Sequence, residues 1–167
     1  MTGYLSSNKP IPDPGAVPLP LENLMQPETR SESVPPSGKA YVADDITVYY
    51  DGKRCRHFAE CLHGLPAVFD GAAKPWIQPA NADPETVAEI VRRCPSGALH
   101  YVMRDGPAEQ PESPTTVMVR DDGPMILRGD LVIETPNGPM HETRAALCGC
   151  AKTSNAPFCD GACGCTP

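Results

Sequence analysis

Cysteine carries the most definite chemistry in this chain, and five of the eight cysteines lie in the last twenty residues. They occur as Cys148-Gly-Cys150 and, nine residues after Cys150, as Cys159-Asp-Gly-Ala-Cys163-Gly-Cys165. Two thiolates one residue apart cannot readily close an unstrained disulfide with each other, but both can bind one small metal centre. The spacing therefore predicts a metal-binding loop. A zinc site made only of cysteines is the alternative, although zinc sites typically present pairs separated by two residues.

The run from Cys148 to Gly161 resembles the motif of CDGSH-type iron–sulfur proteins, the mitoNEET-like family. The matching residues are Cys148, Cys150, Thr153, Pro157, Cys159, Asp160 and Gly161. The resemblance implies a [2Fe–2S] cluster with Cys148, Cys150 and Cys159 as ligands and a histidine as the fourth. Cys163 stands at the histidine position and is expected to be the fourth ligand. Cys165 is either an alternative fourth ligand or a spare thiol on the C-terminal tail.

The cysteine at the histidine position has an electrostatic consequence. A thiolate brings negative charge where a neutral imidazole brings none, and this charge disfavours the reduced cluster. We therefore expect a lower reduction potential and a firmer hold on iron than is usual in the family. The side chains of Asp160 and Thr153 are expected to hydrogen-bond the backbone of the turn or a cluster sulfur.

An earlier set of thiols consists of Cys55 and Cys61, which have five residues between them in a polar loop, and of Cys94, which a proline follows. This set resembles half of a bacterial ferredoxin, in which closely spaced cysteines and a distant Cys-Pro pair bind one cluster. Phe58 stands here at the middle cysteine position. The resemblance covers about residues 45–103 and is closest to the divergent single-cluster ferredoxin domains of bacteria, which occur fused to CDGSH segments. It implies Cys55, Cys61 and Cys94 as ligands.

Three thiolates leave the type of this first cluster open. A [3Fe–4S] cluster needs no fourth ligand, whereas a [4Fe–4S] cluster needs His57, an outside ligand or a solvent molecule on its fourth iron. His57 could equally hydrogen-bond the loop or a sulfur. Trp76, with Phe69 and Leu65, is expected to form a small apolar lid over the cluster. The remaining histidines have no comparable context and are expected at the surface or in strands: His63, His100 and His141.

The elements that must position the first set can be predicted from periodicity. Alternation over 46–50 predicts a strand that ends at a turn of Asp51 and Gly52. Asp83 and Pro84 are typical of a helix start, and apolar residues at helical spacing follow until Cys94. A second alternating run at 99–103 predicts a strand that pairs with the first. The result is a compact ferredoxin-like β-loop-α-β unit.

The C-terminal half shows short alternating runs with turn signals between them. Strands are predicted at 117–119, 125–127 and 131–133, and a further one at 140–145. Gly129-Asp130 and Asn137-Gly138 are the predicted turns. The C-terminal domain is therefore expected to be mostly β, with the cysteine loop at its end.

These patterns divide the chain into four parts and indicate the α+β class. Residues 1–40 are rich in proline and are expected to form a disordered arm. Residues 41–104 form the predicted ferredoxin-like domain, residues 105–115 a linker, and residues 116–167 the CDGSH-type domain.

Composition and charge narrow the function. The chain of 167 residues has 21 prolines and 14 glycines and is only 5% aromatic, so a large single core is not expected and small domains would need metals or disulfides for stability. The sequence shows no secretory signal pattern and no long apolar run, which favours a cytoplasmic location. Clustered thiols in that reducing compartment more often bind metal than form disulfides. The net charge of −7 argues against a nucleic-acid partner.

We therefore expect an electron-transfer protein with two clusters and no catalytic residue. Its expected partner is a redox protein that the sequence does not name, and no membrane is involved. Storage, sensing or transfer of clusters is the alternative function. Two further interpretations stay open: the chain could be a subunit of a larger oxidoreductase, and it could associate as a homodimer.

Overall fold

The structure is a computed structural model that describes residues 36–165. Nearly all of the predicted disordered arm lies outside these residues. The described part forms an N-terminal module (residues 39–104) and a C-terminal module (residues 116–165), each built on a three-stranded antiparallel sheet. Two short α-helices accompany the first sheet, which confirms the α+β class. No helix within residues 36–165 is long and apolar enough to cross a lipid bilayer.

The sheet of the N-terminal module has the strand order β1-β2-β3. Strand β2 (Ile46–Tyr50) pairs with β3 (Leu99–Met103) along its whole length, as predicted. Strand β1 (Lys39–Val42) was not predicted as an element. Only one of its four residues, Tyr41, is buried, so the segment lacks the alternation that would indicate a strand.

Two helices complete this module. Helix α1 (Glu60–Gly64) follows the first cysteine loop, and α2 (Pro84–Arg92) precedes Cys94. The predicted helix start is confirmed, since the carboxylate of Asp83 accepts the backbone N–H of Thr86, as N-cap residues do. A single 3-10 turn (Pro79–Asn81) lies before α2. The apolar face of α2 packs on the sheet and forms the core with the following fully buried residues: Val48, Phe69, Ile77, Val87, Val91 and Leu99.

The sheet of the C-terminal module has the order β4-β5-β6, with β4 at Thr116–Met118, β5 at Met125–Thr135 and β6 at Gly138–Leu147. The predicted turn at Asn137 and Gly138 is confirmed, because β5 and β6 form a hairpin there. The predicted turn at Gly129-Asp130 is wrong. The chain runs through these residues as one strand, and the pairing register shifts between Arg128 and Leu131. Gly129 has a φ of 134°, so a glycine that resembles a turn signal serves a β-bulge here.

The two modules pack together through a buried charge network, made of Arg54, His100, Glu109, Glu142 and Arg144. The guanidinium of Arg54 donates to Glu142 at 2.8 Å, and His100 Nδ1 lies 2.9 Å from Glu109 Oε2. Glu109 comes from the predicted linker (residues 105–115), so this connection supplies a buried carboxylate to the interface.

Arg144 is the most deeply buried member of the network, with 2% of its surface exposed. It extends from β6 into the N-terminal module, where it forms an ion pair with Glu109. It also donates to the carbonyls of Val91 at 3.1 Å and Leu99 at 2.6 Å. Arg144 therefore joins the end of α2 and the start of β3 to the second sheet.

The charge network makes stability depend on pH through His100. Burial alone would lower the pKa of His100, but its hydrogen bond to Glu109 and its ion-pair contact with Glu142 outweigh burial and raise the pKa above the ordinary 6.5. For a group whose pKa is raised on folding, the stabilisation is present below the unfolded value and is lost as pH rises through the folded value. We therefore expect the free energy of unfolding of the holo-protein to fall as pH rises above 6.5.

Urea unfolding followed by circular dichroism at several pH values between 6 and 9 would measure this loss. His100→Gln should flatten the pH dependence, whereas His141→Gln, at an exposed position on β6, should keep it. An equal slope in His100→Gln and the unmodified chain would contradict the assignment.

Candidate metal centres

The structure brings the three predicted thiols of the first set to one cleft. Cys55 comes from the loop after β2, Cys61 from α1, and Cys94 from the turn after α2. The same cleft is lined by several polar and aromatic residues: Tyr50, His57, Trp76 and Ser96.

The electrostatics of this cleft suit a cation. Burial, together with the neighbouring thiols of Cys94 and Cys55, raises the pKa of Cys61 to about 11. Burial and a hydrogen bond with Cys55 likewise raise the pKa of Tyr50. Thiolates so close together repel one another. The positive charge of a bound metal offsets this repulsion and favours the thiolate over the protonated thiol. The donor set therefore fits an iron–sulfur group.

The backbone of the cysteine loop adopts an unusual conformation at two residues beside the cleft. His57 and Ala59 have φ values of 57° and 63°, a left-handed conformation that residues other than glycine seldom adopt. Such conformations occur at binding sites, where the surrounding structure holds them. His57 lines the cleft as expected. On the other side, the sulfur of Cys94 lies 3.5 Å from the hydroxyl of Ser96.

The predicted apolar lid is present only in part. Trp76 lines the cleft and meets the ring of Tyr50 edge to face, with the ring centroids 4.8 Å apart. Phe69 is 1% exposed and belongs to the core, and Leu65 packs against the same core. Trp76 therefore shields the cleft with Tyr50 as its partner.

The C-terminal thiols form two close pairs. The sulfurs of Cys148 and Cys150 are 3.6 Å apart, and those of Cys159 and Cys165 are 3.7 Å apart. The thiol of Cys163 neighbours those of Cys165 and Cys150. Within residues 36–165 no group of three or more histidine, cysteine, aspartate or glutamate side chains converges on a place that could hold a single metal ion. The thiols are gathered as pairs, and their all-sulfur chemistry fits a cluster with more than one iron.

Hydrogen bonds hold the backbone that carries these thiols. The N–H of Cys159 donates to the carbonyl of Ala146 and thereby fixes the loop to β6. The carboxylate of Asp160 accepts the backbone N–H groups of Ser154 and Ala162, and the hydroxyl of Thr153 donates to the carbonyl of Phe158. Both side chains bind the backbone of the turn, as predicted. Hydrogen bonds from Ser154 and Ala162 lower the pKa of Asp160.

The first thiol of this loop is prepared for ligation near neutral pH. Backbone hydrogen bonds, of which that from Cys150 is the strongest, lower the pKa of Cys148 to about 7. A thiolate is the form that binds metal. The loop geometry therefore favours the ligating form of Cys148.

The two candidate centres adjoin each other, a relation that the sequence did not indicate. Arg56, next to Cys55, donates to the carbonyl of Cys165 at 2.8 Å. Arg54 lies over the ring of Phe158, with its guanidinium carbon 4.1 Å from the ring centroid. The first cysteine loop thus supports the second. Neither arginine stands in a recognisable motif, so no sequence signal could have identified them.

Comparison with known proteins supports this division into two iron–sulfur segments. The pattern of the family described as "Divergent 4Fe-4S mono-cluster" matches residues 41–104, and that described as "Iron-binding zinc finger CDGSH type" matches residues 122–162. The uncharacterized protein YjdI of Escherichia coli (strain K12) is 38% identical over 63 residues, which are 38% of this chain and 83% of that protein. YjdI of E. coli O157:H7 matches to the same extent. No solved structure matches the chain.

Proposed function

Because the chain belongs to the iron–sulfur proteins that join a divergent 4Fe–4S mono-cluster domain to a CDGSH-type segment, we propose that it is an electron-transfer protein with two clusters. A bound iron–sulfur cluster supplies one-electron chemistry. The residues of the chain bind the clusters, exclude water and set the surrounding charge, and none of them needs a catalytic role.

The observation that carries this proposal is the contact between the two cysteine loops. Arg56 and Arg54 connect the loop of Cys55 to the loop of Cys159 and Cys165. Two separate iron stores would have no need of such proximity. A carrier that accepts electrons at one centre and delivers them from the other requires it.

The cofactors that we propose follow from the ligand sets. Cys55, Cys61 and Cys94 would hold a [4Fe–4S] cluster with His57 or solvent on the fourth iron, or a [3Fe–4S] cluster without it. Cys148, Cys150 and Cys159 would hold a [2Fe–2S] cluster with one further thiolate. The proposed partner is a redox protein, for which the acidic charge of −7 suits a basic docking face. The proposed location is the cytoplasm.

Exposure of the second set favours one other function, which is the transfer of its cluster to other proteins. Cys150 is exposed at the surface, so an acceptor could reach this end of the loop. An all-thiolate set opposes this function because it should hold iron firmly.

One experiment separates the two functions. The anaerobically purified protein is reduced with dithionite, freed of reductant and mixed with an oxidised cytochrome as a one-electron acceptor. We expect full reoxidation with unchanged iron and sulfide over several cycles. A parallel incubation with an apo-ferredoxin should leave the clusters in place. Migration of iron and sulfide to the apo-ferredoxin on the same timescale would favour the transfer function instead.

A further inference from the structure

The fourth thiolate of the C-terminal set is not fixed by family similarity. The CDGSH match ends at residue 162, and two cysteines follow it, Cys163 and Cys165. The structure places them differently. Cys165 lies against Cys159, whereas Cys163 neighbours Cys150 and Cys165.

The distances within the two close pairs have a simple chemical meaning. Two thiolates bound to one tetrahedral metal, each about 2.3 Å from it, stand about 3.8 Å apart. The pair of Cys148 and Cys150, at 3.6 Å, and the pair of Cys159 and Cys165, at 3.7 Å, both have this spacing. A [2Fe–2S] cluster with four cysteine ligands takes two on each iron. The observed pairs therefore supply one complete set.

The backbone explains why the later cysteine reaches Cys159. The N–H of Gly164 donates to the carbonyl of Gly161 at 2.8 Å, so residues 161–164 form a turn. The turn reverses the chain and returns Cys165 to the sulfur of Cys159. Cys163 lies within the turn.

A side chain of the other module holds Cys165 in place. Nη2 of Arg56 donates to the carbonyl oxygen of Cys165 at 2.8 Å and lies 3.6 Å from its sulfur. Arg56 is only 8% exposed, and its guanidinium packs on Gly161, where a Cβ atom would overlap it. The missing side chain at position 161 leaves room for this approach, and the φ of 81° at Gly161 also suits glycine.

We propose that Cys165, and not Cys163, completes the C-terminal thiolate set beside Cys159, and that Arg56 of the N-terminal module is its positioning residue. This inference rests on the proposed function, because it requires a bound [2Fe–2S] cluster. A cationic donor near a ligand sulfur offsets thiolate charge and raises the reduction potential. Arg56 therefore tunes the second centre from the loop of the first.

The ligand assignment is tested by Cys165→Ser and Cys163→Ser in the full chain, purified without oxygen. Cys165→Ser should lose about two acid-labile sulfides per chain or change the EPR g-values of the reduced [2Fe–2S] centre. Cys163→Ser should keep the unmodified spectrum and sulfide content. Loss of the centre in Cys163→Ser, or an unaltered centre in Cys165→Ser, would overturn the assignment.

The role of Arg56 is tested by redox titration, which also applies if Cys165→Ser fails to fold. Arg56→Gln should lower the midpoint potential of the [2Fe–2S] centre, and Arg56→Lys should restore part of the difference because it keeps the charge. Arg128→Gln is the matched control, since Arg128 also joins the modules, by donating to the carbonyls of Arg92 and Arg93. Equal potentials in Arg56→Gln and Arg128→Gln would contradict the proposal.

The failure of this inference differs from the failure of the proposed function. If the unmodified protein contains the [2Fe–2S] centre and Cys163→Ser destroys it, only the ligand assignment is wrong. If the unmodified protein contains no such centre, the proposed function and the inference fail together.

Discussion

Replacing Cys94 by serine is expected to abolish the cluster of the N-terminal module and to leave that of the C-terminal module intact. Cys94 is one of three thiols around the first cleft, and a cluster held by only two cysteines should not persist. Cys150→Ser should have the reverse effect, because Cys150 belongs to the other set and lies at the surface. EPR spectra of oxidised and reduced samples, with iron and sulfide analysis, measure both losses.

The two variants serve as controls for each other. Each should lose nearly all of one signal and keep most of the other, since the two sets lie in separate modules. Simultaneous loss of both signals in Cys150→Ser, in a chain that still shows native circular dichroism, would contradict two independent centres. A single signal in the unmodified protein would do the same.

Replacing Arg144 by methionine is expected to destabilise the protein by about 3–5 kcal/mol, the usual cost of removing one partner from a buried ion pair. The loss leaves Glu109 buried with one cation fewer and leaves the carbonyls of Val91 and Leu99 without this donor. Such a loss is a large fraction of the stability of a small protein, about 5–15 kcal/mol. Urea unfolding of the holo-protein at pH 7, followed by circular dichroism, measures it.

Arg93→Met is the matched control for this substitution. Arg93 also pairs with a glutamate, Glu89, but its side chain is 50% exposed, and exposed pairs contribute about 0–1 kcal/mol. A similar loss of unfolding free energy in Arg144→Met and Arg93→Met would contradict the claim that burial makes the Arg144 ion pair important for stability. A second comparison uses Glu109→Leu in the Arg144→Met background, which should recover part of the stability because the buried carboxylate that lost its arginine is then removed as well.

Much of the fold follows from local sequence patterns. The alternation over 46–50 and 99–103 predicted β2 and β3 with the correct ends, because alternate apolar residues of each strand are buried in the core: Ile46 and Val48 in β2, and Leu99 and Tyr101 in β3. Asp83 and Pro84 identified the start of α2, since capping depends on adjacent residues alone. The cysteine motifs likewise indicated both candidate centres: the C-terminal one by the spacing within its loop, and the first by two nearby cysteines together with the distant Cys94-Pro95 pair.

The relation between the modules could not be predicted in this way. Arg54, Arg56 and Arg144 contact residues between 35 and 109 positions away in the chain, and no local periodicity records such partners. The turn predicted at Gly129 was wrong because the local signal is ambiguous. A glycine between alternating runs is typical of both a turn and a β-bulge. His100 was expected merely at the surface or in a strand. It lies in β3, and its burial depends on carboxylates that only tertiary structure supplies.

The most direct test of the central claim is the acid-labile sulfide and iron content of protein purified without oxygen. Two clusters predict about six sulfides and about five or six irons per chain, depending on whether the first cluster is [3Fe–4S] or [4Fe–4S]. A colourless protein that contains zinc and no labile sulfide would contradict the account.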